Sequence, residues 1–221
     1  MIGPYLHDPA AIYRQSFAVI RDEAVLDGLS EAEITVALRV AHACGMVDVT
    51  AALRFHPDAV VRARDALRAG APILADCTMV TAGIIRNRLP ADNRVLCTLD
   101  HPALRDPAVA PTTTRSAAAV ELWRPDLDQA VVVIGNAPTA LFRLLELLEA
   151  GAPTPAAILA FPVGFVGAAE SKDTLIRLAP VPYITLPGRR GGSAMAAAAL
   201  NALAGLTVPP VGGATTDAAA S

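Results

Sequence analysis

Residues 156–172 read Ala156-Ala-Ile-Leu-Ala-Phe161-Pro-Val-Gly-Phe-Val-Gly-Ala-Ala-Glu-Ser-Lys172. A short apolar run is followed by two glycines and a basic residue. That is the pattern of a buried strand turning into a helix, with backbone N–H groups exposed at the turn. The same grammar recurs at Val131 to Ala140 (VVVIGNAPTA) and at Ile184 to Met195 (ITLPGRRGGSAM). In an open parallel sheet the turns after the strands lie along one edge, so three such crossings place one pocket there.

Working outward, Pro72–Asp76, Arg94–Leu99, Gln129–Gly135, Ala156–Phe161 and Tyr183–Leu186 read as strands. Helical segments at Thr78–Ile85, Thr113–Trp123, Pro138 to just before Gly151, Gly167–Leu178 and Ser193–Ala204 alternate with them. This alternation predicts an α/β fold, a three-layer α/β/α arrangement around a five-stranded, parallel, doubly wound sheet with right-handed crossovers. Three helices precede it. Asp8-Pro9 supplies an N-cap and a first-turn proline, and Tyr13, Phe17, Ile20 and Ala24 follow at helical spacing. Ser30-Glu-Ala-Glu33 is a capping box for a second helix that Gly45 closes, and a third runs from about Asp58 to Ala69. Residues 1–206 are expected to form a single domain, and 207–221, which lack periodicity, a disordered tail.

Composition narrows the function. The 221 residues are 53% hydrophobic and 18% charged with a net charge of −3, enough apolar content for a core and no basic block to track phosphates. Nucleic acid is therefore not an expected partner. The three cysteines, Cys44, Cys77 and Cys97, form no CxxC pair, which points away from disulfides and zinc and toward a reducing cytoplasm. Neither a secretory leader nor an apolar stretch of about 18 residues is visible, so a membrane is not expected.

His42 is the first candidate for chemistry, because imidazole exchanges protons near neutral pH, and Arg39 stands one turn earlier on the same helical face, placed to hold a carboxylate. The plainer alternative is a structural histidine near a helix C-terminus. The glycine turns could cradle phosphates or carboxylates, or be tight connections only; neither GxGxxG nor GxxxxGK[ST] is present. Arg86, Arg88, Arg115, Lys172, Arg189 and Arg190 lie near strand ends and could bind several carboxylates, or be solvated charges. Asp76 ends the first strand and reads equally as a working group or a helix cap. The cysteines read as small buried hydrophobes.

Taken in series, Ser16-Phe17 with Arg21, Arg39-Val-Ala-His42-Ala-Cys-Gly45, Thr114-Arg-Ser-Ala-Ala118, Ile134-Gly-Asn-Ala-Pro-Thr-Ala-Leu-Phe142, Pro162 to Asp173 and Gly191-Gly-Ser193 resemble the precorrin-8X methylmutase family of corrin-ring (cobalamin) biosynthesis. The likeness runs from Tyr5 to Ala204, with Asp48 standing where many members carry Glu and Cys77-Thr78 replacing more usual polar neighbours of Asp76. The resemblance implies an isomerase that moves the C11 methyl of a tetrapyrrole polycarboxylate to C12, giving hydrogenobyrinic acid. It implies a homodimer of flavodoxin-like topology that needs neither metal nor organic cofactor. It also implies that His42 is the proton donor and acceptor, that Ser16 and Arg39 touch substrate, and that Arg115, Asn136, Gly164 and Gly191 lie near the macrocycle. Rival expectations are the same shift on the cobalt-containing substrate of the anaerobic route, a non-catalytic corrinoid carrier, and a flavodoxin-like nucleotide binder.

Overall fold

The computed structural model describes residues 3, 5–105 and 113–205. The expected tail at 207–221 and most of the Pro/Thr-rich connection before Thr113 lie outside the described residues. In chain order the elements are α1 (Pro9–Glu23), α2 (Glu31–Cys44), α3 (Val49–Ala52), β1 (Arg54–Phe55), α4 (Ala59–Arg68), β2 (Ile73–Ala75), α5 (Thr78–Gly83), β3 (Val95–Leu96), α6 (Arg115–Glu121), β4 (Val131–Ile134), α7 (Pro138–Glu149), β5 (Ala157–Ala160), α8 (Ala168–Leu178), β6 (Tyr183–Thr185) and α9 (Ser193–Leu203).

The strands form one sheet in the order β1-β6-β5-β4-β2-β3. Five of them are parallel, and their spatial sequence, second-first-third-fourth-fifth, is the flavodoxin-like doubly wound order. The sheet nevertheless has six strands, not the expected five. Arg54 and Phe55 pair antiparallel with Thr185 and Ile184 and extend the β6 edge. Two residues carry no periodicity, so only the tertiary pairing makes this strand. The short helix α3 was missed for the same reason.

Alternation along the strands separates the layers. Ile73, Ala75, Val131, Val133, Leu159 and Ile184 face a core shared with α1, α2, α4 and α9. Leu74, Val132, Ile134, Ile158 and Tyr183 face α6, α7 and α8. Helix α9 lies directly on β4 and β5, and α2 lies on α9, with α1 on α2. The alanines of α9 permit this stacking, since Ala196, Ala197, Ala199 and Ala202 are all buried.

The sheet's reversal of winding falls between β2 and β4, and Asp76 pins it. Its carboxylate, buried just past β2, accepts from the N–H groups of Gly135, Asn136 and Ala137 at 2.8, 2.9 and 2.8 Å. These are the donors of the turn between β4 and α7, which would otherwise be left unsatisfied in a dry place. Burial raises the Asp76 carboxyl above its usual range and the three donors pull it back in part. Asp76 thus holds the turn that leads into α7 rather than capping the helix that follows it in the chain. Gly135 is required beside it, since a Cβ there would fall 2.6 Å from Val80 Cγ2 and 2.7 Å from Ser193 Cα. Replacing Asp76 with alanine would strand three donors in a dry turn, and we expect denaturant unfolding to report a loss of about 2–4 kcal/mol.

Candidate active site on the first two helices

The site begins with the phase of α2. Ser30 Oγ accepts from Glu33 N, Glu33 Oε2 accepts from Ser30 N at 2.8 Å, and Gly45 closes the other end in a left-handed conformation at φ 68°. With both ends set, Leu38 and Ala41 go into the core and His42 emerges in the last turn. On α1, Asp8 caps the first turn through Ala10 N and Ala11 N, and burial of Phe17 and Ile20 turns Ser16 toward α2.

Ser16 Oγ and His42 Nδ1 share a hydrogen bond of 3.0 Å, which leaves Nε2 as the ring nitrogen available for chemistry. The Phe17 ring stacks on the imidazole at 4.7 Å and 23°, and Tyr13 meets it edge-on at 5.8 Å. The Arg39 guanidinium lies over the same two rings, 4.9 Å from Tyr13 and 4.7 Å from Phe17. Ser16, Arg39 and His42 thus form one cluster whose framework is two aromatic rings. In the sequence Tyr13 and Phe17 read only as part of an apolar stripe; their i, i+4 spacing beside Ser16 is the signal that both rings would meet at this cluster. A cleft of about 520 Å³ opens here, lined by Ile12, Ser16, Val19, His42, Gly45 and Val47.

Electrostatics within the cluster are coupled. Burial, and then the nearby Arg39 charge, hold the His42 imidazole below its ordinary pKa. Arg39 is only 6% exposed, and burial followed by the Arg88 charge lowers it to about 10, so it remains cationic at neutral pH. Arg39, expected to hold a carboxylate beside the ring, is packed under the cluster, and its charge also acts on His42.

The remaining sequence candidates lie apart from this cluster, at the ends of the strands. Arg115 begins α6, donates to Leu99 O at 2.8 Å and pairs with Asp100. Asn136 sits in the turn held by Asp76, with its side chain exposed. Gly164 adopts φ 144° and donates to Arg189 O at 3.2 Å. Gly191 is forced by a close approach, because a Cβ would meet Phe161 O at 2.4 Å and Pro162 O at 2.5 Å. Lys172, expected among the carboxylate-binding cations, is instead fully buried. Its Nζ donates to Pro162 O at 3.1 Å and Arg190 O at 2.7 Å, cross-linking the two glycine loops. Arg190 pairs with Asp48, just beyond α2, at 2.5 Å. Among the described residues no cluster of three or more His, Cys, Asp or Glu is placed to hold a metal ion.

Residues 11–206 match the family model described as precorrin-8X methylmutase. The chain is 60% identical over 201 residues to the precorrin-8X methylmutase of Pseudomonas aeruginosa, covering 90% of this chain and 97% of that one. It is 37% identical over 206 residues to the cobalt-precorrin-8 methylmutase of Salmonella typhimurium, covering 90% and 96%. Among solved structures, a precorrin-8X methyl mutase from Thermus thermophilus superposes with a TM-score of 0.80 at 41% identity, covering 88% of this chain and 94% of that one.

Two measurements probe the site's charges. Arg39→Gln removes the cation beside the imidazole, so an NMR titration should show the His42 pKa rising toward its ordinary value. For Lys172, burial pulls the ammonium down to about 8 from 10.5. Between those values the unfolded chain binds one proton more than the folded one, so stability increases with pH there. Relative to Lys172→Met, the native protein should gain about 1.4 kcal/mol per pH unit across that window in urea unfolding.

Proposed function

The chain belongs to the precorrin-8X methylmutase family, isomerases of cobalamin biosynthesis, and from that premise we propose that His42 is the acid/base group of the methyl shift. In this reading the bond from C11 to its methyl breaks while the bond to C12 forms. The sum of atoms and electrons is unchanged, so the reaction calls for a proton lent to the conjugated ring and then taken back. Imidazole can do both. Ser16 holds Nδ1, Phe17 and Tyr13 fix the ring plane, and Nε2 exchanges the proton.

The lowered pKa of His42 fits a group that charges only when substrate is present. A tetrapyrrole carries several carboxylates, and their arrival offsets the Arg39 charge and raises the imidazole toward protonation. The imidazolium then faces the pigment in a partly desolvated cleft, where a proton is passed on readily. The single observation that carries the assignment is the Ser16–His42 hydrogen bond at the rim of that cleft. Arg115, Asn136, Gly164 and Gly191 remain proposed neighbours of the macrocycle; the last three lie in the turns after β4, β5 and β6, and Arg115 begins α6.

The metal-free substrate is favoured by likeness, since the identity is 60% to a precorrin-8X methylmutase against 37% to a cobalt-precorrin-8 methylmutase. A homodimer is part of the same reading, supported by Ile12 and Val19, 45% and 47% exposed where the cleft opens, an apolar rim that a second copy could cover. No helix among the described residues is long and apolar enough to cross a membrane. The location we propose is the cytoplasm.

With precorrin-8X supplied, His42→Ala should slow the change in the visible spectrum by about 10²–10⁴-fold while leaving pigment binding in place. A rate equal to the parent's would remove His42 from the mechanism, and a binding shift without rearrangement in the parent protein would mean a carrier. Side-by-side kcat/KM values for the metal-free and cobalt-containing substrates decide between the two routes.

A further inference from the structure

The loops that follow β5 and β6 combine a rigid backbone with unusually exposed side chains. Gly192 N donates to Phe161 O at 2.8 Å, Gly164 N to Arg189 O at 3.2 Å, and the buried Lys172 ammonium grips a carbonyl from each loop. The absence of a Cβ at Gly191 lets the loops touch. The unit is latched to the start of α3 by the Arg190–Asp48 pair, and Asp48 lies six residues past His42 in the chain.

From this rigid base Phe165 and Val166 project into solvent, 85% and 88% exposed, in a chain whose other aromatic side chains can be buried completely, as Phe17 and Phe161 are. Beside them the two adjacent arginines divide the work. Arg190 is engaged with Asp48, whereas among the described residues Arg189 makes no ion pair and lays its guanidinium 5.5 Å from the centre of the Phe165 ring. A free cation against an exposed aromatic face is a surface for a flat, apolar, anionic partner. A carboxylate takes the guanidinium fork while the phenyl face covers conjugated carbon. The unit stands at the C-terminal ends of parallel strands, the ligand-binding edge of such sheets.

We propose that Phe165 and Arg189 are substrate-positioning residues, clasping one carboxylate-bearing edge of the tetrapyrrole while His42 addresses its reacting carbons. This rests on the methyl-shift reading. It adds to it a second point of hold, carried on the sheet edge and not on α1 and α2. A large macrocycle needs such a hold, because a proton donor works only when the reacting atoms are kept within a few tenths of an ångström of their place. Since the backbone is already fixed, binding orders only two side chains.

The test compares Phe165→Ala, Arg189→Gln and Arg189→Lys with the parent in steady-state kinetics, in absorption titration with the corrin product, and in sedimentation. Both side chains project to solvent, so all three variants should fold and melt as the parent does. The expected result is a KM and a product Kd raised about tenfold in Phe165→Ala and in Arg189→Gln, with kcat within about twofold and partial recovery in Arg189→Lys. Parent-like KM and Kd in both would overturn the proposal. So would a Phe165→Ala protein whose sedimentation changes while its KM does not, since the patch would then belong to a second copy of the chain. The titration needs no turnover, so it judges this clasp even if His42→Ala shows the acid/base assignment to be wrong.

Discussion

The site depends on the rotational phase of one helix. Helix α2 presents its residues 100° apart, so a slip of one position would send His42 toward α9 and bring a core alanine to the cleft. Three independent restraints prevent it: the reciprocal capping box at Ser30 and Glu33, the left-handed Gly45, and burial of Leu38 and Ala41 against α9. Each acts locally, but they agree. Only because α9 is lined with alanine can α2 come close enough for its burial to be decisive.

On that fixed helix, Arg39 and His42 are held under tension. A guanidinium 6% exposed is kept charged above two aromatic faces, and the imidazole beside it is held below its ordinary pKa. Burial is the larger cause in both cases, with like charge adding to it. An anionic ligand in the cleft would oppose only the like-charge part of these shifts, since burial persists when the cleft is filled. The Ser16 hydroxyl matters because it engages one ring nitrogen, so the other is aimed.

The sheet edge follows a different logic, in which buried polar groups fix backbone and leave side chains free. Asp76 satisfies the turn before α7, and Lys172 satisfies carbonyls from two loops at once. Both are charged groups in dry surroundings, costly to bury and tolerable because each meets two or more partners. They bring order to the places where a parallel sheet opens to ligands.

Much of this was legible in the chain. Apolar runs of strand length between helical segments gave the parallel sheet, since a strand covered on both faces has little choice of composition. Caps such as Asp8, Ser30-Glu33 and Gly45 gave helix limits, because they act over three or four residues. The motifs around Ser16, Arg39 and His42 gave the family. Tertiary structure alone decided what depends on distant neighbours. It paired Arg54-Phe55 with β6, buried Arg39 under the cluster, turned Lys172 from a surface cation into an internal clamp, and packed Tyr13 and Phe17 against the His42 ring. A residue's periodicity records which face it occupies, whereas its burial and partners depend on whatever the fold brings from tens of residues away.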